Sequence, residues 1–166
     1  MGIEVREATP DEHEEAGRVT ALAYREFARP DDPDWERYLA RIADVRARAE
    51  RTTILVAVEE GRILGSVTLE LDGRTEDEDA DAPLAPDEAH LRMLGVHPEA
   101  RRRGVARALV QACIERARAA GRRRVTLNTT SRMRAAQAMY EGMGFRRTPD
   151  RVFPDGFVLL GYEKEI

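Results

Sequence analysis

At 166 residues, 42% hydrophobic and 35% charged, the chain is long enough for one well-cored domain and too short for two ordinary ones. No apolar run approaches the roughly 20 residues of a membrane span, and "MGIEVREATP" lacks the basic-then-apolar order of a secretory signal, so a cytoplasmic protein is expected. Cys113 is the only cysteine, which leaves no intrachain disulfide and no cysteine-rich metal site; the net charge of −4 conceals a division, with 11 Lys+Arg against 24 Asp+Glu in residues 1–90 (net −13) and 16 against 7 in residues 91–166 (net +9).

"IEVREAT" (Ile3 to Thr9) alternates apolar and polar residues, as a half-buried strand does. Thr9-Pro10-Asp11-Glu12 reads as a helix start, with Thr9 as N-cap, Pro10 in the first turn and Glu12 closing a capping box. Ala16, Val19, Ala23 and Phe27 follow at helical spacing. "RPDDPD" interrupts that helix, and a second starts at Asp32-Pro33 with Trp35, Tyr38, Leu39, Ile42 and Val45 along one face. "TILVAVEEGRILGSVTLEL" predicts two strands around a tight turn at Glu60-Gly61. The acidic, aperiodic "DGRTEDEDADAPLAPDE" reads as a loop. "AHLRMLGV" is a strand, and Val105, Leu109, Cys113 and Ala117 form the apolar stripe of a helix that Gly121 ends. "RRVTLN" is a strand, "SRMRAAQAMYEGM" a helix followed by Gly144, and "GFVLLGYEKEI" a closing strand. The order β-α-α-β-β-β-α-β-α-β, with room for one further short strand, predicts a single α/β (α+β) domain across residues 1–166. Its mixed sheet carries helices on its faces.

"VHPEARRRGVARALV" (Val96 to Val110) sets three arginines where a helix begins, the end at which the macrodipole is already positive. A strand, a short turn and a helix N-terminus leave backbone N–H groups unpaired, and phosphates are the usual occupants of such a site. Gly104 removes a side chain that would hold a phosphate off the backbone, and Ala106 keeps the next turn small. Arg101, Arg102 and Arg103 offer guanidinium forks suited to outer phosphate oxygens. An exposed basic turn would account for the arginines, but not for Gly104 and Ala106 at this spacing. Neither G-x-x-x-x-G-K-[ST] nor a G-x-G-x-x-G after a strand occurs, which argues against a P-loop NTPase or a dinucleotide enzyme.

The same stretch resembles the cofactor motif of the GNAT superfamily of acetyl-CoA-dependent N-acetyltransferases. Val96 and Pro98 match its V-x-P, and Arg101, Gly104 and Ala106 match [QR]-x-x-G-x-[GA] running into a helix. "YEGMGF", Tyr140 to Phe145, matches the family's second signature, Y-E-x-x-G-F, and the element order of the whole chain agrees. The resemblance implies a mixed, mostly antiparallel central sheet and acetyl-CoA as co-substrate, with no metal. It implies a cofactor site from Leu94, Gly95, Val96, Arg101, Arg102, Arg103, Gly104, Val105, Ala106, Arg107, Ala136 and Tyr140. In one place the chain departs from the pattern. Seven residues before the tyrosine, where the family often has an Asn that hydrogen-bonds the pantetheine arm, stands Met133. Weaker cofactor binding, or another donor such as Ser131, is expected.

Acetylating an amine requires a deprotonated nitrogen, a stabilised carbonyl oxygen and a departing thiolate. A lysine-like amine with a pKa of about 10.4 is nucleophilic in only about one molecule in a thousand at neutral pH, so a base or a water path is useful. The resemblance assigns Tyr140 as the acid or hydrogen-bond donor to the coenzyme A sulfur. Without that motif, Tyr140 reads as an amphipathic core residue of its helix. Glu88, His90, Arg92 and Leu94 share one strand face by alternation. His90, six residues before Val96, occupies the position at which some family members place a general base. It also reads as an ordinary strand histidine, and Glu88 is the reserve. The resemblance places oxyanion stabilisation on backbone N–H groups near Leu94 and Val96, where Gly95 makes a bulge easy.

The acceptor is expected to be a small-molecule or peptide amine. Cationic examples would be drawn by Glu76, Asp77, Glu78 and Asp79 with Asp31, Asp32 and Asp34, although these equally read as solvated loops. Trp35 and Tyr38 could line an acceptor pocket, or simply be core. No nucleic-acid or membrane partner is expected, and the chain is expected as monomer or homodimer. Two alternatives stand beside the enzyme. One is a non-catalytic coenzyme A-binding regulator on the same fold. The other is a nucleic-acid module using "RRRG", "GRRRV" and "SRMR", which lacks the aromatic interleaving that single strands favour.

Overall fold

The run Ile54-Leu55-Val56-Ala57 is apolar without alternation because both faces of its strand are covered. The computed structural model describes residues 2–27, 32–72, 83–154 and 156–166. Its elements are β1 (Glu4–Glu7), α1 (His13–Arg25), α2 (Trp35–Ala43), α3 (Val45–Ala49), β2 (Thr53–Glu59), β3 (Arg62–Glu70), β4 (Glu88–Val96), α4 (Val105–Ala119), β5 (Arg124–Thr130), α5 (Arg134–Gly142), β6 (Arg146–Val152) and β7 (Val158–Glu165). The strands form one sheet in the order β1-β2-β3-β4-β5-β7-β6. Only β4 and β5 pair in parallel. On one face Ile54 and Val56 meet Ala16, Val19 and Val45; on the other, Leu55 and Ala57 join Val105, Leu109, Cys113 and Ala117 in the larger cluster. Full burial of each Val, Leu and Ile side chain stabilises by about 1.5–3 kcal/mol. No helix among the described residues is long and apolar enough to cross a membrane.

Glycines set two of the closest approaches. A Cβ on Gly65 would stand 3.1 Å from Val105 Cγ1 on the α4 face, and one on Gly17 would stand 1.9 Å from the Ala43 carbonyl oxygen. Helices α1 and α2 therefore touch backbone to backbone.

Most elements lie where the periodicity predicts. The capping box forms, with Glu12 Oε1 accepting the Thr9 N–H at 2.9 Å, although the first turn after Thr9 is a short 3-10 helix and α1 starts at His13. The second predicted helix is two. Asp44 (φ −84°, ψ 66°) ends α2, and its carboxylate caps α3 by accepting the Ala47 N–H. The further short strand is β6. The acidic stretch 73–82 lies outside the described residues, as does Asp31.

One irregularity organises the rest. Ser66 pairs with Gly95 and Thr68 with Arg92, so Met93 and Leu94 together oppose Val67. Met93 carries the bulge in a left-handed conformation, φ +53°. A one-residue bulge inverts the alternation beyond it. Ala89 and Leu91 point into the larger core before it, and Leu94 and Val96 pack against that core after it. Leu94 therefore does not share a face with His90, contrary to simple alternation. Nor does Gly95 carry the positive φ. Its missing Cβ admits α1, since a Cβ there would stand 3.1 Å from Thr20 Cα and from Ala23 Cβ.

Candidate active site

The parallel ladder of β4 and β5 runs only from Glu88–Arg124 to Leu91–Leu127, whereas β5 continues along β7 to Thr130. Past Leu91 the two strands part, and β4 loses its ladder on that edge. A cavity of about 640 Å³ is lined there by His90, Arg92 and Met93 of β4 and by Asn128, Thr129 and Thr130 of β5. Tyr24, Phe27, Trp35 and Tyr38 wall it on the helix side, and Phe153 and Phe157 of the β6–β7 hairpin wall it opposite. The rings pack on one another, with centroids 5.5 Å apart for Trp35 and Tyr38 and 5.8 Å for Phe153 and Phe157. Trp35 and Tyr38 thus line a pocket at the spacing that also suited a core.

After the bulged strand comes the arginine turn. Gly104 is the N-cap of α4 at φ +78°, ψ 14°, and no side chain caps the helix. Nothing lies within 4 Å of where its Cβ would be. Glycine is required here by backbone conformation, and the first-turn N–H groups of the helix are left for an outside acceptor. Arg102 also has positive φ, +63°. Arg101 donates to Glu26 Oε2 at 2.6 Å, and Arg103 pairs with Glu59. Exposed pairs of this kind are screened by solvent, so they oppose capture of a phosphate only weakly.

Tyr140 is 5% exposed, with its ring 5.7 Å from Phe145 and 5.9 Å from Tyr162. Burial pushes its phenol well above the ordinary value of 10, with the neighbouring Cys113 thiol adding to the rise. Tyr24, raised by its own burial, also feels Tyr140.

His90 is 6% exposed, and its Nδ1 lies 2.7 Å from Thr126 Oγ1. Glu88, the reserve base, is occupied: Oε2 accepts from Thr126 at 2.6 Å and Oε1 from the Ala85 N–H at 3.1 Å. Glu70 is fully buried opposite His90 in the register, with Arg92 3.9 Å away. Met133 and Ser131 both line the cavity. Met133 is the N-cap of α5, and its sulfur accepts from Thr129 Oγ1 at 3.3 Å. Ala136 packs against the larger core.

Two contributors escaped the sequence reading. Arg48 is 5% exposed, and burial lowers its guanidinium to about 10. It donates to Thr68 Oγ1 at 3.0 Å and to the carbonyls of Arg41 and Ile42, which ties α2 and α3 to the sheet behind the cavity. Thr126 is the other. Neither announces itself in the sequence, because an arginine on a short helix and a threonine on a strand are ordinary surface residues until the fold buries them.

The family model described as the acetyltransferase (GNAT) family matches residues 16–145, and the chain belongs to that family of acyltransferases. Among solved structures it is similar to the ribosomal-protein-S18-alanine N-acetyltransferase of Escherichia coli, at 19% identity and a TM-score of 0.70, over 99% of this chain and 94% of that one. It is also similar to yncA of Salmonella typhimurium, solved with its cofactor acetyl-CoA (20%, 0.70, 99% and 94%). An acetyltransferase of the GNAT family from Staphylococcus aureus Mu50 gives 18%, 0.68, 99% and 99%. These likenesses show the fold. No curated protein matches the chain.

Proposed function

We propose that the chain is an N-acetyltransferase that moves an acetyl group from acetyl-CoA to a primary amine by direct attack in a ternary complex. The observation that carries this reading is the parting of β4 from β5 at the Met93 bulge, which opens a cavity beside His90 and precedes the uncapped start of α4. The first-turn N–H groups from Gly104 to Arg107, with Arg101, Arg102 and Arg103, would hold the pyrophosphate. Leu94, Gly95 and Val96, with Val105, Ala106 and Ala136, would flank the acyl-bearing arm.

His90 takes one proton from the acceptor ammonium, and the freed nitrogen attacks the thioester carbon. Backbone N–H groups of the bulged strand stabilise the oxyanion. The C–S bond breaks as the carbonyl re-forms and the nitrogen sheds a second proton, so ammonium and thioester become amide, thiol and one released proton. Tyr140 donates a hydrogen bond to the departing sulfur. Its raised pKa keeps the phenol protonated, and against a thiol of pKa about 8.5 it stabilises the thiolate without giving its proton up outright.

The acceptor enters the aromatic cavity. Among the described residues its lining carries Arg37, Arg41, Arg92, Arg132 and Arg151 against Asp32 and Asp34. That balance favours an amine that also bears an acid group and an apolar body over a purely cationic one. We place the protein in the cytoplasm, acting as one domain over residues 1–166. Calorimetric titration with acetyl-CoA, with ATP as the phosphate-bearing control, tests the donor site. Thiol release across amino acids, peptides and polyamines then tests the transfer. Saturable acetyl-CoA binding without thiol release from any amine would replace the enzyme by the coenzyme A-binding regulator.

A further inference from the structure

We infer that Thr126 and Glu88 form a relay with His90 that fixes the imidazole in the tautomer a general base needs, Thr126 being a positioning residue for the transfer. This rests on the reading of His90 as base. The parallel register sets His90 opposite Thr126 and Glu88 opposite Arg124. His90 Nδ1 lies 2.7 Å from Thr126 Oγ1, and that oxygen lies 2.6 Å from Glu88 Oε2.

A hydroxyl has one hydrogen to give, and a carboxylate only accepts. Glu88 accepts at both oxygens, since Oε1 takes the Ala85 N–H and lies 3.6 Å from Arg124 Nη2. The Thr126 hydrogen therefore points to Glu88. The Ala89 carbonyl, at 3.5 Å from the same hydroxyl, is too far to compete. Thr126 then offers His90 only lone pairs, so Nδ1 must carry the ring hydrogen, and the lone pair of the neutral imidazole resides on Nε2. The opposite tautomer would set lone pair against lone pair, with no hydrogen between the two atoms.

Once Nε2 takes a proton, Nδ1 keeps donating to Thr126, and the charge of Glu88 reaches the imidazolium through the hydroxyl dipole. Glu70 of β3 and Arg92 of β4 flank the same ring, and Tyr24, Tyr38 and Arg41 line the cavity across from it. A threonine is stiff at χ1, and Glu88 is held by hydrogen bonds at both oxygens, so the hydroxyl that meets the ring keeps its place.

Imidazole nitrogen NMR of the intact protein tests the inference, with H13Q and H97Q variants assigning the other two histidines. At a pH where the ring is neutral, His90 is expected to be protonated at Nδ1 and not at Nε2. Thr126→Ser, which keeps the hydroxyl, should retain that signature and a kcat within about threefold. Thr126→Val should lose the signature and at least about tenfold in kcat, part of the 10²–10⁴ a general base supplies, with the KM for acetyl-CoA unchanged. An Nε2-protonated ring in the wild type, or equal losses in the Ser and Val variants, would overturn the relay. Absence of thiol release from the wild type would sink the enzymatic reading instead, and the NMR result would still decide the relay.

Discussion

Replacing Tyr140 by phenylalanine removes one oxygen from a side chain that is 5% exposed and leaves its ring contacts with Phe145 and Tyr162 in place. The phenol is well above its ordinary pKa because burial disfavours the phenolate, so it stays protonated past pH 10 and is available as a donor throughout the physiological range. A hydrogen bond from a neutral donor to a charged acceptor is worth about 1.5–3 kcal/mol. The thiolate exists only as the C–S bond breaks, so that energy belongs to the transition state. At about 1.4 kcal/mol per tenfold, Tyr140→Phe should lower kcat by roughly ten- to 150-fold. The KM for acetyl-CoA should move by less than about threefold, because the ground-state thioester sulfur is a weak acceptor. The melting temperature should stay close to the wild type's, since the packing survives. Steady-state thiol release at saturating amine, with a thermal melt of each protein, measures all three. A variant with wild-type kcat and an unchanged melt would refute the role of the phenol.

Gly17→Ala would set a Cβ 1.9 Å from the Ala43 carbonyl oxygen and 2.8 Å from its carbon, and neither backbone atom can swing away. A loss of about 3 kcal/mol, or roughly 6–12 °C in melting temperature, is expected by differential scanning calorimetry. An unchanged melt would show that α1 and α2 do not pack as closely as described. Met133→Asn restores the family's amide at the cavity edge and should tighten acetyl-CoA by about tenfold, or 1.4 kcal/mol, in calorimetric titration; no change would remove Met133 from the account of the donor site. The Arg6 guanidinium, bonded to both oxygens of Glu12 at 2.7 and 2.9 Å, holds that carboxyl down to about 2 from an ordinary 4.5. A depressed carboxylate stabilises the fold above its unfolded pKa, and the stabilisation drains away as pH falls from about 5 through 2. Screening at this partly exposed pair leaves about 1 kcal/mol, so Glu12→Gln should lower stability by that much at pH 7. It should also flatten the acid limb of thermal unfolding, and an identical acid limb would contradict the pairing.

Much of the fold is legible in local pattern. The stripe Val105, Leu109, Cys113 and Ala117 lies fully inside the larger core, because a helical period reports directly which face is covered. The turn at Glu60-Gly61 forms with both residues at positive φ, as a two-residue hairpin demands. The phosphate-suited turn was readable because Gly104 is chosen for a backbone angle, and an angle is a local property. Asp44 shows the limit of the same reasoning, since α2 and α3 share one apolar face and periodicity alone merges them.

The sequence by itself determined the order of elements, the buried face of each helix and the family whose two motifs it carries, because these depend on neighbours a few residues apart. The tertiary structure decided what no local pattern encodes. Strand register gave Met93 the bulge, turned Leu94 away from His90, and ended the β4–β5 ladder at Leu91 so that a cavity opens. It also brought Thr126 of β5 between His90 and Glu88 of β4, which precede it by 36 and 38 residues in the chain. Register is a sum over both partners' side chains and hydrogen bonds, so only the assembled sheet could set it.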